Sequence, residues 1–438
     1  MSKKINTVLL GGSNSIMNGA LKAGLSFKSD LTNIAMGASS VVQNASELSK
    51  SRAAIINSDL VITESNVNDS HNVNVLDLPI NYMLERISEF YSELYKLNKR
   101  CVVLILPVKH LEGKTESLDV IQMVNQAHRA NAIKYQFYIV DLAMHFSKLS
   151  KEVIDMLMPD PRHVNNSYMY NLGINVINYI TSLKLSTTNN VNLNIAESRY
   201  SFLDASLFGK VEKKRNSMFE VELLELREGD SYKFKKSAYG HYIIGIATWS
   251  DGNSAIKITN KYGELKKCFN NLNAFNEVSV PIKIDDSTKF NTIKLDIEKT
   301  EESVNVKDFT NCKDNTKLAG FYISKDLEVC NITDIYAYDK NGDYDYELDF
   351  LIPDSTPYFH SIKFFLSRVS MGQLVNFKYK NFKGDASSFY ANFTKDVAVF
   401  FINKDIKLAY KLMRLALFIN PNNQLAKKWI KNQRLKNK

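Results

Sequence analysis

The sequence predicts an α/β fold with a mainly parallel sheet, followed by a β-sandwich-like region and a C-terminal helical hairpin. Residues 1 to about 185 alternate short β-branched runs with segments of helical periodicity, which is typical of a parallel sheet covered by helices. From about 189 to 402, short alternating segments are separated by polar turns. We therefore expect an α/β domain at 1–188, a β-rich domain at 189–402 and a basic helical tail at 403–438.

The α/β region begins with the run Ile5 to Leu10, whose β-branched and apolar residues predict a buried strand. Further strands and helices follow in alternation. In sheets of this kind, ligands bind at the carboxyl ends of the strands. The expected strands are 5–10, 32–36, 59–63, 101–107 and 137–141, and the expected helices lie near 15–24, 44–57, 78–98, 117–132 and 166–184.

In the β-rich region, alternation is clearest at 242–249, 278–284 and 293–297, and turn residues stand at 251–253 and 340–343. This pattern does not separate one large sandwich from two small units. Several aromatic side chains suit stacking on a sugar ring, but packing in a sandwich core explains them equally well. They are Trp249, Tyr239, Tyr242 and Tyr262.

The tail carries the net charge of the chain. The sequence has 56 Lys and Arg against 47 Asp and Glu, a net charge of +9, and residues 404–438 hold eight Lys, two Arg and one Asp. Lys407, Lys411 and Arg414 share one stripe of a predicted helix. Either the hairpin packs on the β-rich domain with its lysines in solvent, or it contacts an anionic membrane surface or an assembly complex. We expect no nucleic-acid partner.

The composition favours a reducing compartment, because the four cysteines form no disulfide framework and no paired metal-ligand spacing in 438 residues. No apolar run is long enough to cross a bilayer, and the residues after Met1 do not form the apolar core of a signal peptide. We expect a cytoplasmic protein without metal or bound cofactor, held at the inner face of the membrane if the tail binds lipid. The cysteines are Cys101, Cys268, Cys312 and Cys330.

The first three strands each run into residues that suit catalysis. The first ends in Gly11-Gly12-Ser13, which places a hydroxyl at the carboxyl edge of the sheet, although plain turns and phosphate cradles use the same residues. The second ends near Gly37, where a backbone amide can approach a ligand closely. The third runs into Asn66-Val67-Asn68-Asp69, and a side-chain amide there can donate to a developing oxyanion.

A fourth block, Asp160-Pro161-Arg162-His163, precedes the last helix of the α/β region. An Asp three residues before a His in a proline-stiffened loop can accept the Nδ1–H of that ring. This leaves the other ring nitrogen free to take a proton from a serine. Among the seven histidines of the chain, only His163 has this local partner.

In this order, the four blocks resemble those of the SGNH (GDSL-like) hydrolases, and the resemblance covers residues 1 to about 185. It implies a flavodoxin-like three-layer fold. It also implies Ser13 as the nucleophile, His163 as the general base and acid, and Asp160 as the group that orients His163. The oxyanion hole would consist of the amides of Ser13 and Gly37 and the side chain of Asn68.

Two positions depart from the family pattern. Gly12 replaces the Asp that precedes the serine, which weakens the hydrogen bonding that braces the serine loop. Asn66 replaces the Gly of the third block. A slip of register there would make Asn66 the oxyanion donor instead of Asn68.

The resemblance implies acyl transfer through an acyl-enzyme on Ser13, from which either water or a sugar hydroxyl takes the acyl group. A cytoplasmic chain has access to acetyl-CoA, and SGNH domains fused to further modules recur among enzymes that modify bacterial surface polysaccharides. We therefore expect O-acetyl transfer from acetyl-CoA to a polysaccharide such as a capsule. The alternatives are a carbohydrate esterase with the same triad and a catalytically inactive glycan-binding protein.

Overall fold

A computed structural model of the chain shows the arrangement of these elements. It describes residues 4–76, 78–97, 99–109, 117–183, 198–215, 220–249, 254–269, 274–293, 315–327, 346–356, 395, 398, 406–419 and 423–436. The expected turns at 251–253 and 340–343 lie outside these residues, as do Cys312, Cys330 and all but the first residue of the expected strand at 293–297.

Five parallel strands form the sheet of the α/β domain: β1 (Ile5–Leu10), β2 (Ser29–Asn33), β3 (Leu60–Thr63), β4 (Cys101–Ile105) and β5 (Tyr138–Asp141). Their order across the sheet is β2-β1-β3-β4-β5, and every neighbouring pair is parallel. This is the flavodoxin-like strand order, in which the ligand site lies at the carboxyl edge near β1 and β3. The predicted α/β fold class is therefore confirmed.

The helices of this domain connect the strands and cover both faces of the sheet. They are α1 (Ser13–Ile16), α2 (Leu21–Leu25), α3 (Val41–Lys50), α4 (Arg52–Ile56), α5 (Asn66–Leu76), α6 (Ile80–Lys96), α7 (Leu118–Lys134), α8 (Leu142–Ser147), α9 (Lys151–Leu157) and α10 (Asn166–Ser182).

Three local predictions were wrong. The strand expected at 32–36 ends at Asn33, because its Oδ1 accepts the Ala35 amide at 3.1 Å and turns the chain. The helix expected at 44–57 is broken at Ser51, which has φ −102° and ψ 20°. The helix expected at 15–24 is likewise two short helices, α1 and α2.

Alternation along the strands divides the core between the two faces of the sheet. In β4, Val102 and Leu104 belong to the cluster that includes α2 and α10, whereas Val103 and Ile105 belong to the cluster that includes α3, α6 and α7. Successive strand side chains point to opposite faces, so strands buried on both sides read as continuous apolar runs. The result is a three-layer domain.

Two antiparallel sheets form the β-rich domain. The first contains β6 (Tyr200–Asp204), β7 (Glu212–Arg215), β8 (Glu220–Arg227), β10 (Tyr242–Trp249), β13 (Phe275–Lys283) and β15 (Asn315–Ser324), in the order β13-β10-β15-β8-β7 with β6 also paired to β15. The second runs β12-β11-β14-β9 and contains β9 (Tyr232–Lys233), β11 (Ser254–Asn260), β12 (Gly263–Phe269) and β14 (Lys289–Thr292). Apolar side chains from both sheets form one core, so the predicted sandwich-like arrangement is confirmed.

The opposite face of the first sandwich sheet packs on the α/β domain. Helix α3 contacts β6 and β13. Phe275 and Tyr322 belong to the same buried cluster as Val42 and Leu48 of α3. The two domains therefore share a continuous apolar interface on the α3 side of the parallel sheet.

The aromatic side chains considered for sugar stacking differ in exposure. Tyr262 is 79% exposed, whereas Tyr239 packs against the sandwich core. Trp249 and Tyr242 are half-buried, and each has a lysine ammonium over its ring. A contact between these rings and carbohydrate stays a prediction.

The C-terminal hairpin consists of α11 (Ile406–Ile419) and α12 (Gln424–Lys436). Leu412, Met413 and Ile430 belong to the cluster formed by α2 and α10 of the α/β domain. Residues 346–356 pack on the same face of the parallel sheet. The backbone groups of Tyr346 and Leu348 form hydrogen bonds with the backbone of Ile139 in β5. Of the alternatives considered for the hairpin, packing on the β-rich domain is therefore corrected, because the buried residues of the hairpin pack on the α/β domain. Within the described residues, no helix is long and apolar enough to cross a membrane.

Candidate active site

Ser13 lies at the carboxyl edge of the parallel sheet. Strand β1 ends at Leu10, the buried Gly11 and Gly12 follow, and helix α1 begins at Ser13. The serine itself is half-buried. The packed turn therefore presents its hydroxyl at the edge where ligands bind in sheets of this type.

His163 connects Ser13 to Asp160. Its Nε2 lies 2.7 Å from Ser13 Oγ, and its Nδ1 lies 2.8 and 2.9 Å from the two carboxylate oxygens of Asp160. Partial burial favours a higher pKa for Asp160, but hydrogen bonds from the His163 ring and from the amides of Arg162 and His163 lower that pKa below its usual value. Asp160 is therefore ionised and able to hold Nδ1 protonated, with Nε2 directed at the hydroxyl.

Asn14 joins the serine turn to the histidine loop. Its Nδ2 donates to the carbonyl of Arg162 at 3.0 Å, and its Oδ1 accepts the amide of Val164 at 3.2 Å. The two bonds bracket His163 and fix the loop against α1. The sequence predictions did not include Asn14, although its place directly after the predicted nucleophile is a signal for it.

Glu64 supports the serine turn through two hydrogen bonds. It follows β3, and its Oε1 accepts the Gly12 amide and the Ser15 hydroxyl, each at 2.8 Å. Burial raises the pKa of Glu64 to about 7, against the opposing effect of these hydrogen bonds. The turn was expected to be weakly braced because Gly12 replaces an Asp. The structure shows that Glu64, at the end of the neighbouring strand β3, supplies this support through its carboxyl group.

Asn68 occupies the space beside Gly12. Its Nδ2 donates to the carbonyl of Ser39 at 2.9 Å, and the side chain is 7% exposed. A Cβ added to Gly12 would overlap this Nδ2. A side chain at position 12 would displace the Asn68 amide, which gives a physical reason for the departure from Gly-Asp-Ser.

Asn66 is committed to other partners. Its Nδ2 donates to the carbonyl of Leu106 and to Oδ1 of Asn125, both at 2.7 Å, and its Oδ1 accepts the Leu106 amide at 3.0 Å. These bonds tie α5 to the end of β4. Of the two side chains, that of Asn68 lies against the serine turn, and its role as oxyanion donor stays a prediction.

The loop that carries Gly37 rests on the serine turn. The Met36 amide donates to the carbonyl of Gly11 at 3.0 Å. Ala38 has φ 61°, a left-handed conformation that costs a residue with a side chain about 1–2 kcal/mol. A backbone conformation of this cost persists only where the surrounding contacts fix it, which indicates that the loop carrying Gly37 is held in place.

Asp69, the last residue of the third block, is directed away from the serine. It accepts the Val41 amide at 2.6 Å at the start of α3, and its Oδ2 lies 2.9 Å from Nε2 of His128. The other ring nitrogen of His128 lies 2.9 Å from the hydroxyl of Tyr91. This second Asp–His pair is buried and partners a tyrosine of α6, so it supports the fold.

The arrangement is suited to nucleophilic chemistry. It combines a serine hydroxyl, a histidine nitrogen that can accept its proton, and a side-chain amide beside Gly12, the residue before the serine. Among the described residues, no group of three or more His, Cys, Asp or Glu side chains is placed to hold a metal ion.

Comparisons with known proteins complete the description. No family model matches the chain, and no curated protein matches it. Similar solved structures include an α/β hydrolase from the metagenome of Lake Arreo, Spain, with 15% identity and a TM-score of 0.33 over 42% of this chain and 97% of that chain.

Two further solved structures are similar at comparable levels. An acetyl xylan esterase shares 15% identity with a TM-score of 0.32 over 40% of this chain and 98% of that chain. A lipase/acylhydrolase from Enterococcus faecalis shares 14% identity with a TM-score of 0.34 over 41% of this chain and 96% of that chain. Within this chain, the resemblance to SGNH hydrolases rests on the strand order and on the contact between the first and fourth blocks.

Proposed function

We propose that this protein catalyses serine-dependent acyl transfer, and that its reaction is O-acetyl transfer to a hydroxyl of a bacterial surface polysaccharide. The observation that carries the proposal is the continuous series of hydrogen bonds from Asp160 through His163 to Ser13. A serine hydroxyl is a weak nucleophile until a neighbouring base takes its proton, and this series supplies that base.

In the first half of the proposed reaction, Ser13 Oγ attacks the carbonyl carbon of the acyl donor while His163 Nε2 takes the hydroxyl proton. Negative charge develops on the carbonyl oxygen, where the Asn68 side chain and the amides of Ser13 and Gly37 are proposed to donate. The intermediate then collapses, and the leaving group departs with the proton from His163. An acetyl ester of Ser13 remains.

In the second half, an acceptor hydroxyl attacks the acetyl-serine carbonyl and gives its proton to His163. Collapse of this second intermediate breaks the ester bond, and Ser13 recovers its proton from the histidine. With water as the acceptor, the product is acetate. With a sugar hydroxyl, the product is an O-acetylated glycan.

Acetyl-CoA is the proposed donor, since an acetyl thioester is an activated acyl group whose thiolate leaves readily. The support for a carbohydrate acceptor is the β-rich domain packed directly on the α/β domain, together with the exposed ring of Tyr262. Tyr262 lies in the turn between β11 and β12, where an exposed aromatic face suits contact with a sugar ring.

The primary test is hydrolysis of p-nitrophenyl acetate by the wild-type protein and by Ser13→Ala. We expect measurable turnover that falls to the uncatalysed background in the variant. His163→Ala should lose as much activity as Ser13→Ala, and the double variant should be no worse than either, because the residues act as a unit. Full activity in Ser13→Ala would refute the proposal.

A second assay separates the acceptors. The protein is given acetyl-CoA and a de-O-acetylated polysaccharide, and acetyl groups are measured in the polymer and as free acetate. We expect Ser13-dependent acetylation of the polymer. Free acetate alone would favour the esterase alternative, and glycan binding without turnover in either assay would favour the glycan-binding alternative.

A further inference from the structure

Glu277 of the β-rich domain reaches into the α/β domain beside the candidate oxyanion donors. It lies on β13 and is 6% exposed. Its Oε1 accepts one hydrogen bond from the hydroxyl of Ser40 and another from Nδ2 of Asn72, the latter at 2.9 Å. One carboxylate therefore contacts two elements of the other domain.

Both partners of Glu277 belong to elements that carry candidate oxyanion donors. Ser40 is the N-cap of α3 and ends the loop that holds Gly37, and its neighbour Ser39 accepts the hydrogen bond from Asn68. Asn72 lies on α5 one turn after Asn68, so it shares a face of that helix. Glu277 thus links the loop that carries Gly37 to helix α5.

We propose that Glu277 is a positioning residue, through which the β-rich domain holds the Gly37 loop and the Asn68 helix in the relative placement that the oxyanion hole requires. This inference rests on the proposed function. It gives the β-rich domain a part in catalysis that is separate from any contact with carbohydrate.

The surroundings of Glu277 make these hydrogen bonds strong. Glu277 lies beside an apolar cluster and within electrostatic reach of the buried Asp69 and Lys267, and hydrogen bonds in a buried setting are electrostatically stronger than in water. Burial raises the pKa of Glu277 to about 7, partly opposed by the bonds from Ser40 and Asn72. Because Oε1 accepts both bonds, a glutamine can retain them through its amide oxygen.

The test compares three variants of the full-length protein. Glu277→Ala should lower kcat for p-nitrophenyl acetate by about 10- to 100-fold with little change in KM, since misplaced donors weaken the transition state. Glu277→Gln should retain most of the wild-type kcat. Tyr200→Phe is the matched control, because it removes a buried interdomain hydrogen bond to Glu89 on α6, away from both donors. It should lower stability and leave kcat unchanged.

Hydrogen–deuterium exchange gives a readout that does not depend on activity. In Glu277→Ala, amides in residues 34–42 and 66–76 should exchange faster, and in Tyr200→Phe they should match the wild type. Unchanged exchange in Glu277→Ala, or an equal loss of kcat in Tyr200→Phe, would overturn the inference. If the wild type shows no Ser13-dependent turnover, the proposed function fails and the exchange comparison alone decides.

Discussion

At the scale of single residues, the candidate site depends on which side chains approach the serine turn. Gly12 leaves room for Asn68, Glu64 accepts the Gly12 amide, and Asn14 holds the loop of His163. Each of these contacts helps to fix the position of a candidate catalytic group. Catalytic geometry depends on such contacts, because misplacement by about 1 Å can cost 10²-fold in rate.

The first prediction distinguishes Asn68 from Asn66. Asn68→Ala should lower kcat by roughly 10²–10³ with little change in KM, because the hydrogen bond to the oxyanion forms chiefly in the transition state. Asn66→Ala should mainly reduce stability, since it removes bonds to Leu106 and Asn125. Steady-state kinetics with p-nitrophenyl acetate measures both. A large loss of kcat at Asn66 with none at Asn68 would show that the other register is correct.

The second prediction concerns Gly12. Gly12→Ala should reduce both kcat and the free energy of unfolding, by about 1–3 kcal/mol for the latter, because the new methyl group overlaps Asn68. In the Asn68→Ala background the same change should cost little stability. Gly37→Ala is the control, since a Cβ there meets only Ile16 Cδ1 at an ordinary 3.4 Å. Chemical denaturation of the wild type, the two single variants, the double variant and Gly37→Ala measures the coupling, and additive effects of the changes at 12 and 68 would contradict the overlap.

At the scale of elements, the sequence predicted what is local. Strand runs, the turn at Ser13 and the Asp160–His163 pair are readable because their partners lie a few residues apart. Glu64 and Glu277 were not predicted as site residues, because the local sequence around a glutamate does not indicate which distant residues it contacts in the fold. The partner Ser40 lies 237 residues from Glu277 in sequence. Helix α5 was likewise not predicted from the sequence, because its mostly polar residues show no helical repeat of apolar side chains.

The third prediction concerns the C-terminal hairpin, in which Leu412, Met413 and Ile430 are buried while Lys411, Lys427 and Lys431 are exposed. Full-length protein should bind anionic liposomes at low salt and be released at high salt. Because each basic residue near an anionic surface contributes about 1 kcal/mol, replacing these three lysines with Gln should weaken binding roughly 100-fold. Catalysis should be unaffected. Equal binding by both proteins, or none by either at low salt, would contradict the membrane contact.

At the scale of the whole molecule, two buried carboxyl groups, one in the α/β domain and one at the domain interface, link stability to pH. Glu64 lies beneath the serine turn and Glu277 at the domain interface, and burial raises the pKa of each to about 7. The folded state therefore favours the protonated form of both groups. Below a pH of about 4.5, both carboxyl groups are protonated in the folded and in the unfolded protein. As the pH rises toward 7, these groups ionise in the unfolded protein while they stay largely protonated in the folded one, so the folded state loses stability.

The fourth prediction follows from this sign. The free energy of unfolding should fall as pH rises from about 4.5 to about 7 and level off above that, by up to about 1.4 kcal/mol per pH unit for each group within this window. The double variant Glu64→Gln, Glu277→Gln should show a shallower fall. Urea denaturation at several pH values measures both slopes. Identical slopes would mean that these carboxyls do not set the pH dependence.

The most direct test of the central claim is to trap the acyl-enzyme. The protein is mixed with p-nitrophenyl acetate, quenched in acid within the first turnover, digested and examined by mass spectrometry. The account predicts one acetyl group on the peptide that contains Ser13 in the wild type, and none on that peptide in Ser13→Ala. Turnover without acetylation of Ser13, or with the acetyl group on another residue, would contradict it.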